Sequence, residues 1–156
     1  MYKYLITGGA GLIGSNLLKN LINKGNSEIY VVDNLWRGKI ENLKINNEFC
    51  IDINKYFFNL DLQNYENCLK VTENIDCVIH LADIVAGINY VFDNEFSLFQ
   101  SNLAINSNML KASISTKVNK YLYVGTACSY PLEKQSSINT IPLKEEEAYP
   151  ANPESA

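Results

Sequence analysis

Thr7-Gly8-Gly9-Ala10-Gly11-Leu12-Ile13-Gly14 is the stretch on which the reading of this chain turns. Tyr2 to Thr7, before it, reads as a buried strand. Leu12 to Lys24, after it, reads as a helix with apolar residues at Leu12, Ile13, Leu17, Leu18, Leu21 and Ile22, and Gly25 stands just past its end as a stop. In a strand–turn–helix of this kind Gly8 allows the tight turn, Gly11 lets the backbone approach a pyrophosphate, and Gly14 lets helix and strand pack closely. The free N–H groups and positive end of the helix then face the diphosphate. Asp33 lies 19 residues beyond Gly14, at the end of a second apolar run from Glu28. Its carboxylate can accept from both hydroxyls of an adenosine ribose, and its charge would repel a 2′-phosphate, which favours NAD over NADP. Arg37 is a nearby cation that weakens this preference, or simply a solvent-facing arginine. Asp61 could meet the adenine edge, or cap the helix that follows it.

Outward from the turn, short apolar runs alternate with amphipathic stretches. Lys55 to Asn59 reads as a third strand, Gln63 to Thr72 as a helix, Asp76 to Leu81 as a fourth strand, Glu95 to Ser115 as a long helix and Lys120 to Thr126 as a fifth strand. The polar stretch Asn34 to Asn54 holds at most a short helix at Ile40 to Leu43. Parallel strands need crossovers, and here the crossovers are helices. The pattern predicts an α/β chain with a Rossmann-type doubly wound parallel sheet of about five strands. Runs such as Ile29-Tyr30-Val31-Val32 agree with burial on both faces. After Thr126 the pattern dissolves among Pro131, Pro142, Pro150 and Pro153.

Composition narrows the function. The 156 residues carry 13 Lys+Arg against 17 Asp+Glu, a net charge of −4, and 47% are apolar. This length buries roughly 70% of the unfolded chain's surface, and the composition excludes a disordered chain. With no basic cluster, neither nucleic acid nor an anionic membrane is an expected partner. No apolar run approaches the roughly 18 residues of a membrane span, and the glycines of the turn interrupt any signal-peptide core. Cys50, Cys68, Cys77 and Cys128 form no CxxC pair, and one His cannot complete a Cys/His zinc set, so no metal is expected. They read as reduced thiols of a cytoplasmic protein, with Cys77 in the core and Cys128 where chemistry is expected.

The spacing Gly8-x-x-Gly11-x-x-Gly14, with Asp33 and then Val78-Ile79-His80-Leu81-Ala82, resembles the extended short-chain dehydrogenase/reductase family, the NAD-dependent nucleotide-sugar epimerases and dehydratases. Gly125-Thr126-Ala127-Cys128-Ser129-Tyr130-Pro131 is most similar to members acting on GDP-hexoses. The resemblance implies NAD as cofactor, held by Gly8, Gly11, Leu12, Ile13 and Gly14, by Asp33 and Asn34, by Asp61 and Leu62, and by Leu81, Ala82 and Asn102. It places Thr126 as the catalytic hydroxyl at the end of the fifth strand. His80 reads as structural, and Asp83 departs from the family's usual alanine.

The two positions after Thr126, an Asp and a Glu in the 4,6-dehydratases, are Ala127 and Cys128 here. The elimination machinery is therefore missing, and Cys128 becomes the candidate for proton transfer at C3 or C5 of a 4-ketosugar, provided its pKa is lowered; the alternative is an inert small residue. The family's Tyr-x-x-x-Lys pair is not found. Tyr130 and Lys134 have the spacing, but Pro131 breaks the helix they would need. The resemblance places the catalytic tyrosine just beyond Ala156, so the chain reads as the N-terminal, NAD-binding part of a longer epimerase, binding NAD weakly and inactive alone. A nucleotide-sugar substrate and a homodimer through the long helix are expected of the whole enzyme. A reductase or 4-epimerase of the same family, or a non-catalytic NAD-binding module, is the alternative.

Overall fold

The computed structural model describes residues 1–126, 130–131, 134 and 142–148, in two units, Met1–Tyr123 and Val124–Ala156. The first unit runs β1 (Tyr2–Thr7), α1 (Leu12–Lys24), β2 (Ser27–Val32), a 3₁₀ turn (Ile40–Leu43), β3 (Lys44–Ile45) and β4 (Glu48–Phe49). It continues with α2 (Ile53–Tyr56), β5 (Phe57–Phe58), α3 (Tyr65–Thr72), β6 (Cys77–His80), α4 (Ile88–Asp93), α5 (Glu95–Ser115) and β7 (Lys120–Tyr123). Five of these strands form one parallel sheet in the order β5-β2-β1-β6-β7. The anticipated doubly wound α/β sheet is present.

Alternation of side chains along each strand divides the core in two. Leu5, Val32 and Val78 point to the face covered by α3 and α5, where they meet Val71, Ile105, Met109 and Ala112. Ile6, Val31 and Ile29 point to the other face, covered by α1 through Leu18 and by Leu43 of the 3₁₀ turn. Where both faces are covered, in the middle of the sheet, successive positions such as Leu5-Ile6 and Val31-Val32 are apolar and lack the polar alternation of a one-sided sheet, whereas β7 at the edge is mostly exposed. Cys77 is in the core as expected, and Cys68 is completely buried. Cys50, Cys68 and Cys77 form no disulfide. No helix among the described residues is long and apolar enough to cross a membrane.

Several boundaries differ from the sequence reading. Asp52 accepts from the Asn54 N–H and starts α2, which takes Lys55 and Tyr56 out of the expected third strand and leaves it two residues, Phe57 and Phe58. α3 begins at Tyr65, because Asn64 caps it by accepting from the Glu66 N–H. Asp61 therefore does not cap that helix. The polar stretch after β2 contains an antiparallel hairpin, β3–β4, turned by Asn46 and Asn47, both in the left-handed region. Asparagine tolerates that backbone, which is what a two-residue hairpin turn requires. The fifth strand of the sheet ends at Tyr123, so Thr126 lies beyond it.

α5 carries apolar residues on two opposite sides, with polar residues between them. Leu98, Ile105, Met109 and Ala112 are buried, while Phe96, Phe99, Leu103, Leu110 and Ile114 on its other side are exposed, as is Phe92 of α4. Sheet packing uses one side only. In the second unit, Lys134 pairs with Glu147 of the 3₁₀ turn Glu145–Ala148 at 2.7 Å.

Candidate dinucleotide site

The C-terminal ends of β1, β2 and β6 meet at the glycine turn. Gly8 has φ +65° and donates its N–H to the Val32 carbonyl at 2.8 Å, while a Cβ on it would meet the Leu81 carbonyl at 2.9 Å. Only glycine combines this backbone with this proximity. A Cβ on Gly14 would stand 2.5 Å from the Gly8 carbonyl oxygen and 2.6 Å from Gly9 Cα, so Gly14 packs α1 against the turn itself, where helix–strand packing was expected. The contact with a strand is made instead by Gly9, whose Cβ would lie 2.4 Å from Val31 Cγ1. Sequence reasoning assigned Gly9 nothing.

Gly11 is different. A Cβ there would meet a single protein atom within 4 Å, the Gly8 carbonyl at 3.2 Å, so packing within the fold explains its lack of a side chain poorly. It caps α1 with no side-chain hydrogen bond, and α1 carries no acidic residue in its first turn. Leu12 and Ile13, which the amphipathic pattern directs to the core, are 81% and 65% exposed. A bare helix start flanked by exposed apolar side chains fits a dinucleotide, whose diphosphate takes the free N–H groups and whose rings take the apolar contacts.

Asp33 stands beside this turn. Its Oδ2 accepts from the Ala10 N–H at 3.0 Å and its Oδ1 from the Leu35 N–H at 2.8 Å. Each carboxylate oxygen has a further lone pair, and Gly38 packs beside both, a Cβ there lying 2.8 and 2.9 Å from them. Asn34 is exposed, and its Oδ1 accepts from the Trp36 N–H at 3.1 Å. Arg37, exposed, donates to the Val85 carbonyl. Asp61 is exposed and accepts from the Gln63 N–H at 2.9 Å, an Asx turn ahead of α3. The Leu62 side chain, expected at the cofactor, lies in the core.

On the other flank, buried Thr7 and His80 and half-buried Asn106 form a chain of hydrogen bonds. The Thr7 hydroxyl accepts from the Leu81 and Ala82 N–H groups, both at 3.0 Å, and so donates to His80 Nδ1 at 2.8 Å. His80 Nε2–H then donates to Asn106 Oδ1 at 2.9 Å. Burial pulls the His80 pKa down to about 4 against a smaller upward effect of Asn106, so the ring is neutral and its tautomer fixed. Asn102, one turn before Asn106 on α5, accepts from the Ile84 N–H at 2.7 Å and donates to the Ile84 carbonyl at 3.2 Å. It positions the loop after β6. Thr7 and Asn106 were missed by sequence reasoning; the signals were a hydroxyl immediately before the glycine turn and an Asn at i+4 from Asn102.

Thr126 belongs to the second unit and is exposed. Cys128 lies outside the described residues. No group of three metal-ligating side chains occurs among the described residues.

Fold and turn together are Rossmann-like. The model of the NAD dependent epimerase/dehydratase family matches residues 4–154, and the chain belongs to that family. It is similar to GDP-mannose 3,5-epimerase of Arabidopsis thaliana, 34% identical over 154 residues that cover 99% of this chain and 38% of that protein. A dTDP-D-glucose 4,6-dehydratase of Dictyostelium discoideum is 34% identical over 99% of this chain and 37% of its own length. Among solved structures, the Thermus thermophilus UDP-glucose 4-epimerase complex with NAD matches with a TM-score of 0.76 at 27% identity, over 98% of this chain and 45% of that one. The chain thus spans about two-fifths of the length of these relatives.

The His80 chain carries a pH signature. The unfolded chain binds the His80 proton near pH 6.5 and the folded chain only near 4, so stability falls as pH drops through that window, by about 3 kcal/mol. In urea unfolding across pH 4–7, the difference between wild type and His80→Gln should shrink toward pH 4. A constant difference would show that His80 is not held neutral.

Proposed function

We propose that this chain is the NAD-binding part of a nucleotide-sugar epimerase that works through a 4-ketosugar. The observation that carries the cofactor reading is the Asp33 carboxylate bonded to the Ala10 N–H inside the glycine turn. Gly8, Gly11, Leu12, Ile13 and Gly14 would hold the diphosphate, Asp33 and Asn34 the adenosine ribose, Asp61 and the Leu62 backbone the adenine side, and Leu81 and Ala82 the nicotinamide side. Asn102 acts on that last side by fixing Ile84. When bound, NAD supplies a hydride acceptor for C4 of the sugar.

Thr126 and Cys128 are the chain's own contributions to the chemistry. The Thr126 hydroxyl orients the sugar alcohol, whose proton passes to the family's catalytic tyrosine as C4 is oxidised. The resulting C4 carbonyl makes the hydrogens at C3 and C5 acidic, and Cys128, as thiolate, removes one of them. A second group returns a proton to the opposite face, and reduction at C4 completes the epimer. The segment Thr126-Ala127-Cys128, with no Asp-Glu pair for loss of water, supports epimerisation over dehydration, as does the similarity to a GDP-mannose 3,5-epimerase, which also favours a GDP-hexose substrate.

The apolar outer side of α5 supports assembly as a homodimer across that helix, since exposed Phe96 and Phe99 need a cover. Phe96→Glu/Phe99→Glu should lower the sedimentation coefficient of an associating wild type; identical sedimentation of the two proteins would refute this face. For the chemistry, the full-length enzyme should exchange C3 or C5 hydrogens of its 4-ketosugar with solvent, and Cys128→Ser should slow that exchange by roughly 100-fold or more, the usual contribution of a positioned acid or base. Exchange at the wild-type rate would remove Cys128 from the mechanism.

A further inference from the structure

The loops that leave β2 and β6 are joined directly to each other. Arg37 donates to the Val85 carbonyl, 48 residues away, and the Trp36 ring lies 5.9 Å from the Tyr90 ring of α4. β2 and β6 are the two neighbours of β1 in a parallel sheet, so their following loops flank the glycine turn that ends β1. These contacts bridge the two loops.

Both roots of this bridge are fixed. On the β2 side, the Lys39 N–H and Asn42 Nδ2 donate to the Ala10 carbonyl, at 3.2 and 2.8 Å, and Gly38 packs so closely on Asp33 that a Cβ would lie 2.8 Å from its Oδ1. On the β6 side, Asn102 grips both backbone groups of Ile84, next to Val85. Leu35, immediately before Trp36, has φ +60°, a strained backbone for a leucine, and the Asp33 Oδ1 accepts its N–H at 2.8 Å. Strain of this kind persists only where surrounding contacts impose it, and it turns the chain back at the residues that form the bridge. Trp36 is 47% and Tyr90 43% exposed, so their contact is no product of core packing.

We propose that Trp36, Arg37 and Tyr90 form a strap across the dinucleotide site, which encloses the diphosphate between the strap and the glycine turn. They are positioning residues. The strap couples the adenosine side, held by Asp33, to the nicotinamide side at Leu81 and Ala82. This inference rests on the dinucleotide reading given above and adds to it a dependence on residues that ring and guanidinium contacts place outside the turn.

The strap spans both halves of the site, so its loss should weaken a ligand that crosses the site and spare one that occupies only the Asp33 side. Calorimetric titration of the 156-residue chain with NAD and with AMP makes the distinction. Tyr90→Leu should raise the Kd for NAD roughly threefold to tenfold and leave that for AMP unchanged, with Tyr90→Phe restoring NAD binding. Arg37→Met, which removes the other contact, should repeat the pattern. Trp36 is the chain's one tryptophan, and its emission should move to longer wavelength in Tyr90→Leu, reporting the loss of the ring contact. An unchanged or lower Kd for NAD, or an equal loss for AMP, would overturn the strap. Wild type that binds AMP and NAD not at all would overturn the dinucleotide reading and the strap with it.

Discussion

One pair of charge-assisted hydrogen bonds organises this molecule: the Asp33 carboxylate accepts from the Ala10 and Leu35 N–H groups. A charged acceptor makes hydrogen bonds of about 1.5–3 kcal/mol each, more than neutral pairs. These bonds fasten the end of β2 to the glycine turn of β1 and fix the tight reversal at Leu35. Gly38 and the Lys39 N–H close the same knot from outside. The acid proposed to recognise a ribose is thus also the acid that shapes the glycine turn beside it. A substitution at Asp33 would disturb geometry as well as recognition, and loss of binding in such a variant has two causes.

The sheet was legible because burial on both faces forces long apolar runs. β1, β2 and β6 carry such runs, and the helices between them show a clear helical period. What escaped were elements whose stability is tertiary or purely local. β5 is two residues long and exists because the edge of β2 offers it a partner at Val31 and Val32. α2 depends on one Asx contact at Asp52, and the β3–β4 hairpin on two asparagines that accept positive φ. None of these leaves a periodic signal. Leu12 and Ile13 misled the helical pattern, being apolar yet turned outward at the start of α1.

Of the site, the turn and Asp33 were readable because each has a specific physical task and a fixed spacing. Gly9 was not, since its requirement comes from Val31 of another strand. The chain Thr7–His80–Asn106 was half readable. His80 suggested a satisfied polar group, but its partners come from β1 and α5, 73 and 26 residues away. That chain sets the Leu81–Ala82 backbone against the glycine turn, so a neutral histidine with no chemistry of its own defines one wall of the site. Family membership fits this architecture, and the Gly11 position, almost free of protein contacts, is where the fold leaves room for something other than itself.

The central claim is that the turn and the Asp33 carboxylate together hold NAD by its diphosphate and its unphosphorylated adenosine ribose. Parallel calorimetric titrations of the chain with NAD and NADP test it most directly. The account predicts saturable binding of NAD and at least roughly tenfold weaker binding of NADP, because the 2′-phosphate meets a fixed carboxylate. Equal or tighter binding of NADP would contradict it.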